Sequence, residues 1–404
     1  MRCDMYSGLI ERLAVENDSR ILLAVVDGLG DISIPELGGR TPLEAAETPN
    51  LDGLAAGGAL GMHIPIAHGV TPGSGPAHLG LFGYDPVEYE VGRGVLSALG
   101  VGFPLQHGDL AARINFCTLD DDGVVRDRRA GRIPTEKCRE LVSLLSGGIS
   151  MDDVEVHLMP VKEHRACVVF RGGELSGDVN DTDPGLVGQR PVQVRGQGRT
   201  QDLVREFLSR ASEILRGRHP ANCILLRGFA LYSRFPDMGE RFHLKPAAVA
   251  LYPMYRGVAR LAGMEVMECD PETLQGQTAA VSRAVGEGRD FVFLHHKPAD
   301  SSGEDGDPVA KISAIESFDR ALPGLLELGF QVIAVTGDHS TPCPMKLHSW
   351  HPVPVLINGG PQRTGYSSAF SERQALDGSL GTFRSTDLLP LLLASAGKLS
   401  KFGA

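Results

Sequence analysis

A single hydroxyl, Ser74, stands in the run TPGSGPAHLGLFGYDP (Thr71–Pro86), with glycines at 73 and 75, prolines at 72 and 76, and a histidine at 78. Gly73 and Gly75 permit backbone angles that other residues resist, so the spacing suggests a serine displayed at a tight strand-to-helix turn. Its oxygen would then project as a nucleophile while backbone N–H groups face an anion. The competing reading is a Gly/Pro surface turn whose serine caps a helix. Acids and imidazoles elsewhere weigh against it. Three apolar strands end, or nearly end, in acids: Asp27, Asp300 and Asp338, the last followed by His339. Glu304 and His348 are each expected in a loop. Hard oxygen donors with imidazoles suit manganese, magnesium or zinc better than a thiolate-loving metal. A serine beside such a set points to two-metal phosphoryl or sulfuryl transfer. One ion would lower the serine pKa, and both would neutralise charge on the transferred group.

The elements that must hold these residues follow from the apolar pattern. Ile21–Val26 is a continuous apolar run, as expected for a strand buried on both faces of a parallel sheet. It ends in Asp27-Gly28, where open α/β sheets place ligands; an aspartate capping the next turn is the other reading. Thr48–Gly58 reads as a capped helix and Met62–Ile66 as a short strand leading to the serine loop. Asp290–Asp307 reads as a buried strand followed by a loop with four carboxylates. Phe330–Pro342 is a core strand ending in Asp338-His339, and His348–Ile357 closes the set as the last strand. Ala247–Met264 is strand then helix. Val309–Leu322 carries Ile312, Ile315 and Phe318 on one helical stripe, which is core packing.

Between about 87 and 245 the texture changes to short alternating strands, many arginines and Gly-containing turns. Asp122-Gly123 marks a hairpin, His164–Val179 repeats that habit, and Thr200–Leu215 has helical spacing. The expected fold is α/β: a metal-binding core sheet with helices on both faces, from residues 1–86 and 246–404, and an inserted α+β domain at 87–245.

Composition narrows the function classes. Lys plus Arg is 39 against 50 Asp plus Glu, a net charge of −11, which disfavours nucleic acid or an anionic membrane as partner. Seven scattered cysteines without a CxxC pair read as reduced intracellular thiols and argue against structural zinc. The N-terminal MRCDMYSGLIERLAVENDS is too polar for a signal peptide core, and no apolar run approaches the roughly 20 residues of a membrane span. The expectation is a soluble, cytoplasmic protein.

In order and wording the chain resembles the alkaline phosphatase superfamily, and within it the archaeal-type cofactor-independent phosphoglycerate mutases. The stretches that carry the resemblance are VVDGLGD, TPNLDGLA, PGSGPAHLGLFGYDP, VGRGVLSALG, GDLAARINF, NDTDPG, LLRGF, YPMYRGVARLAGM, GEDGD, VTGDHSTP and HSWHPVPVLI, from about Ile21 to Leu393. VTGDHSTP is shared across the superfamily; PGSGPAHLGLFGYDP and NDTDP are more specific.

The resemblance implies an alkaline-phosphatase-like core sheet and interconversion of 3-phosphoglycerate and 2-phosphoglycerate. Ser74 would be the phosphorylated nucleophile. Asp27, Ser74, Asp338 and His339 would hold one divalent ion, and Asp300, Glu304 and His348 a second. Manganese is expected, with magnesium, cobalt or zinc as alternatives, and no bisphosphoglycerate. Arg165 and Arg227 would grip carboxylate or phosphate, with Lys245 at the return linker as a third cation. Asp181 and Asp183 would hold the glycerate hydroxyls. The partner is a small phosphorylated carboxylic acid, and the sequence is compatible with a homo-oligomer. The chain departs from the family pattern at Glu304 (the family's more familiar ligand is histidine), at Gly75-Pro76 (often Asp-Thr) and at Pro298-Ala299 (often Lys-Thr). The rival readings are a paralogue acting on another small acid in phosphonate or antibiotic biosynthesis, a phosphomonoesterase, and a catalytically dead metabolite-binding module.

Overall fold

The structure is a computed structural model that describes residues 4–196 and 198–403. Thirteen strands follow in chain order among the described residues. They are β1 (Ile21–Val26), β2 (Ala59–Ile64), β3 (Leu110–Leu119), β4 (Val125–Asp127), β5 (Glu155–Lys162), β6 (Arg165–Arg171) and β7 (Cys223–Leu231). The rest are β8 (Pro246–Val249), β9 (Glu265–Val266), β10 (Phe291–His296), β11 (Val332–Thr336), β12 (Val353–Asn358) and β13 (Gly381–Arg384). The chain divides into two compact units: residues up to Glu90, Pro236–Tyr255 and from Ala262 onward, and then Val91–Phe235 with Arg256–Leu261. The sequence expectation has these divisions at 86/87 and 245/246.

The first unit holds an eight-stranded sheet in the order β13-β2-β12-β11-β1-β10-β8-β9. All six residues of β1 are buried, because it is flanked in parallel by β10 and β11 and covered on both faces. Registers pair Val26 with His296 and Val25 with Thr336, so three adjacent strands finish at one level. That level positions the site. One core packs Leu22, Ala24, Val249, Leu294, Ile315, Phe318, Val335 and Leu356, as the stripe on the Pro308–Leu326 helix anticipates; Ile312 on that stripe is only half-buried.

The second unit is an antiparallel sheet, β4-β3-β6-β5, with β7 also paired to β3. Leu110, Ala112, Ile114 and Phe116 of β3 enter its core with residues of the Thr135–Gly148 and Gly198–Leu215 helices. Period-two alternation therefore puts Arg113, Asn115 and Cys117 on the opposite face.

Several local expectations are corrected. Ser74 is not at a tight strand-to-helix turn: β2 ends at Ile64, and a long loop precedes the helix Ser74–Leu81. Gly73 is extended (φ −85°, ψ 155°) and Gly75 is helical, so neither uses glycine's freedom. The stretch after β10 is a helix, Pro298–Asp305, because Pro298 starts it and Gly306 ends it at positive φ. β6 makes its hairpin with the preceding β5, turning at Glu163-His164, while the segment after Arg171 is irregular. β12 is not the last strand, since β13 follows and pairs in parallel with β2. Asp4–Leu13 form a helix, and Met1–Cys3 of the polar N-terminus lie outside the described residues. The six described cysteines carry free thiols, and no described helix is long and apolar enough to cross a membrane.

Candidate active site

Asp27 follows β1, Asp338 and His339 follow β11, and Asp300 lies in the first turn of the helix after β10. The shared strand level therefore brings chain-distant acids together at the carboxyl ends of parallel strands. Glycine makes the approach close enough. A Cβ at Gly28 (φ +66°) would lie 2.8 Å from Asp300 Cα, and one at Gly303 would lie 2.3 Å from the Thr341 carbonyl.

Two sets of potential ligand atoms result, each lying within 4.8 Å of one another: Asp27, Asp338 and His339, and Asp300, His339 and His348. His339 belongs to both. Its Nε2 lies 3.6 Å from Asp27 Oδ1 and 3.2 Å from Asp338 Oδ2, and its ring stacks on His348 at 3.7 Å between centroids. Asp27 Oδ1 and Asp338 Oδ2 are buried with no hydrogen-bond partner. Two facing, orphaned carboxylate oxygens beside an imidazole fit a divalent cation. Contacts behind the two imidazoles orient them. Thr341 Oγ1 donates to Asp300 Oδ1 (2.7 Å) and lies 3.1 Å from His339 Nδ1, while His348 Nδ1 lies 3.1 Å from the Pro72 carbonyl. Each ring thereby keeps Nε2 toward the acids.

The electrostatics express the same incompleteness. Burial raises the Asp27 carboxyl, but Lys297, His295 and His339 outweigh it and Asp27 sits well below the ordinary carboxylate range. Asp338, raised by burial and by Asp27, sits well above it. Ser74, the first residue of its helix, places Oγ 3.3 Å from His339 Nε2. The serine thus borders both ligand sets.

The chain is similar to several known proteins. A family model described as 2,3-bisphosphoglycerate-independent phosphoglycerate mutase matches residues 55–222. The chain is 47% identical to a probable enzyme of that name from Aquifex aeolicus, over 98% of this chain and 100% of the relative. It is 48% identical to another from Thermus thermophilus, over 98% and 99%. The chain belongs to the 2,3-bisphosphoglycerate-independent phosphoglycerate mutase family. It is an isomerase, an intramolecular phosphotransferase. Two solved structures share the fold: the PH0037 protein of Pyrococcus horikoshii (34% identity, TM-score 0.84, 96% of this chain and 99% of that one) and a cofactor-independent phosphoglycerate mutase of Thermoplasma acidophilum (32%, 0.70, 94% and 100%).

The remaining candidates of this phosphoglycerate-mutase-family chain fall unevenly. Glu304 stands outside both ligand sets: its carboxylate is 3.9 Å from His348 Nε2, and its side chain is 55% exposed, one turn beyond Asp300 on the helix. Lys245 is corrected. It precedes β8, beside Asp290, at the amino-terminal edge of the parallel strands. The acids lie past the opposite edge, about 20 Å away for a six-residue strand.

In the second unit, Arg128 binds Asp183 in a fork at 2.8 and 2.8 Å, and Arg227 Nη1 lies 3.4 Å from the same carboxylate. Asp183 is therefore spent on arginines and is a poor hydroxyl receptor. Asp181 accepts from the Gly228 N–H at 2.7 Å and keeps its other oxygen near Arg227. Arg165 is partly exposed, next to Asn115 in register on the arginine-bearing face of the sheet.

The sequence reading missed Lys297. Its Nζ bridges Asp27 Oδ2 (3.1 Å) and Asp300 Oδ2 (2.5 Å), and those two carboxylates hold it charged against burial. A lysine three residues before Asp300 was the available signal. Also missed was the buried pair Lys311–Asp31 (2.8 Å), whose ammonium binds the Thr341 carbonyl at 3.0 Å and so steadies the ligand loop. Lys311 lies on the apolar stripe of its helix, where only the tertiary structure shows a partner.

Proposed function

We propose that the protein interconverts 3-phosphoglycerate and 2-phosphoglycerate through a covalent phosphoserine at Ser74. The observation that carries this is the Ser74 hydroxyl bordering two ligand sets that share His339, in a chain of this mutase family. Two divalent ions, manganese by preference, would be held by Asp27, Asp338 and His339 and by Asp300, His339 and His348, with Ser74 and Glu304 at their margins. When bound, they supply charge neutralisation and a lower serine pKa.

Ser74 Oγ forms its bond to phosphorus as the bond to the glycerate C3 oxygen breaks, and that oxygen takes up the proton the serine gives up. The glycerate reorients, its C2 oxygen attacks the phosphoserine, and Ser74 regains its proton. Lys297, between Asp27 and Asp300, faces the acids with an ammonium that can accept phosphoryl charge. Arg165 and Arg227 offer guanidinium forks for the carboxylate. Water has to stay out while the phosphoserine exists, or the reaction becomes hydrolysis. The free thiols and acidic surface suit the cytoplasm.

The test is a mutase assay coupled through enolase, without bisphosphoglycerate, on chelated protein and after manganese is returned. Metal-dependent 2-phosphoglycerate formation is expected. Release of inorganic phosphate in its place would overturn the mutase reading.

A further inference from the structure

The carboxylate of Asp27 is held by one oxygen only. Oδ2 receives the Tyr255 hydroxyl, and it also lies 3.2 Å from His295 Nε2 and 3.1 Å from Lys297 Nζ. Oδ1, the oxygen facing His339, has no partner. A carboxylate free to rotate would share its donors between both oxygens. Here the phenol and the ammonium both donate to the same one, and the imidazole of His295 lies beside it without a hydrogen bond.

Tyr255 reaches this point because the chain leaves β8 at the same carboxyl edge as β1 and starts the helix Pro253–Leu261 there. The ring is 1% exposed and stacks on His295 at 3.6 Å and 25°. His295 is itself fixed from behind, since Gln277 Nε2 donates to its carbonyl at 2.7 Å. The third ring of the cluster, His78, lies 5.0 Å from Tyr255. Its Nδ1 is 2.8 Å from the Ser74 carbonyl and 3.3 Å from Asp338 Oδ2.

We infer that Tyr255, stacked on His295, is a positioning residue that locks Asp27 Oδ2 and so reserves Oδ1 for a divalent ion in the set formed with Asp338 and His339. This rests on the metal reading above and names a residue that reading does not use. A partner that orients a metal-ligating carboxylate changes metal affinity about 10- to 100-fold when removed. A tyrosine that only filled the core would change stability and leave affinity alone.

The full chain, stripped of metal, is titrated with Mn2+ by electron paramagnetic resonance of the free ion, for wild type, Tyr255→Phe and Tyr84→Phe. Tyr84 is the control, a buried tyrosine whose hydroxyl donates to the Pro236 carbonyl at 2.7 Å, away from the ligand sets. The expected result is one Mn2+-binding step weakened about 10- to 100-fold in Tyr255→Phe, with the other unchanged, and both steps unchanged in Tyr84→Phe. Should Tyr255→Phe fail to fold, His295→Gln removes the stacked ring while sparing the phenol, and the same step is expected to weaken. Wild-type affinity at both steps in the folded variant overturns the role of Tyr255. Absence of Mn2+ binding by the wild type overturns the metal reading itself, and this role with it.

Discussion

The carboxyl edge of the parallel strands and the arginine-bearing side of the antiparallel sheet are built on opposite charge. At the strand edge, Asp27, Asp300 and Asp338 are buried around one ammonium, that of Lys297, and two carboxylate oxygens have no partner. In the second unit, Arg128 and Arg227 surround Asp183, and Arg93 stands near Arg227. The first region lacks positive charge and the second has it in excess. Under the proposed function, the acids would take cations and the arginines an anionic substrate. Their construction differs accordingly. The acids come from the ends of three strands whose register fixes their spacing. Arg227 comes from an antiparallel strand, Arg128 from the turn after β4 and Arg93 from a helix start; they are exposed or half-buried, so they can change partners if an anion arrives.

The largest test of this division removes the nucleophile that borders the acids. Ser74→Ala should lower mutase activity by at least about 10³-fold while keeping the fold, because one oxygen is lost from a helix start. Acid-quenched wild type given labelled 3-phosphoglycerate should carry phosphate on Ser74, read by mass spectrometry. Label on a histidine would break the scheme.

Next in size is Asp338→Asn, which should weaken one Mn2+ site about 10- to 100-fold and cut activity with it. In the metal-free protein the same change should raise Tm, since it relieves a buried like-charge pair whose strain shows in the raised Asp338 carboxyl. A lower metal-free Tm would mean that the two carboxylates are not in conflict.

Arg227→Met tests the basic face. Losing one fork should raise KM for phosphoglycerate about tenfold and leave Mn2+ affinity untouched. A change in metal affinity would remove the distinction between the two regions.

The last test concerns proton binding, which bears on stability and not on catalysis. His63 is held at about 4 by burial, and His164 at about 4 by burial with Arg165, Arg129, Arg113 and Arg132 beside it. Unfolded histidine takes its proton near 6.5, so the unfolded chain binds protons first as pH falls. Stability is then complete above about 6.5 and declines between 6.5 and 4, with His63 alone contributing up to about 3 kcal/mol. Urea unfolding across this range checks the sign. Salt should sharpen the comparison further: it screens the arginines and moves His164 slightly upward, while His63 stays put. Equal shifts, read by NMR, would show that His164 feels burial alone.

What the sequence by itself determined is local. A continuous apolar run such as Ile21–Val26 has to be buried, and an acid directly after it has to emerge at that strand's end. Asp27, Asp338 and His339 were legible for that reason, and Ser74 because its loop wording is specific. Only the tertiary structure decided which strand ends are neighbours and at what level they stop. That decision brought Lys297 between two aspartates, set Tyr255 beneath one of them, and left Glu304 at the rim. It also put Lys245 at the far edge of the sheet, although the chain places it beside β8. The physical reason is register. Side-chain identity is written residue by residue, whereas the spacing between charges on different strands exists only once backbone hydrogen bonds have aligned them.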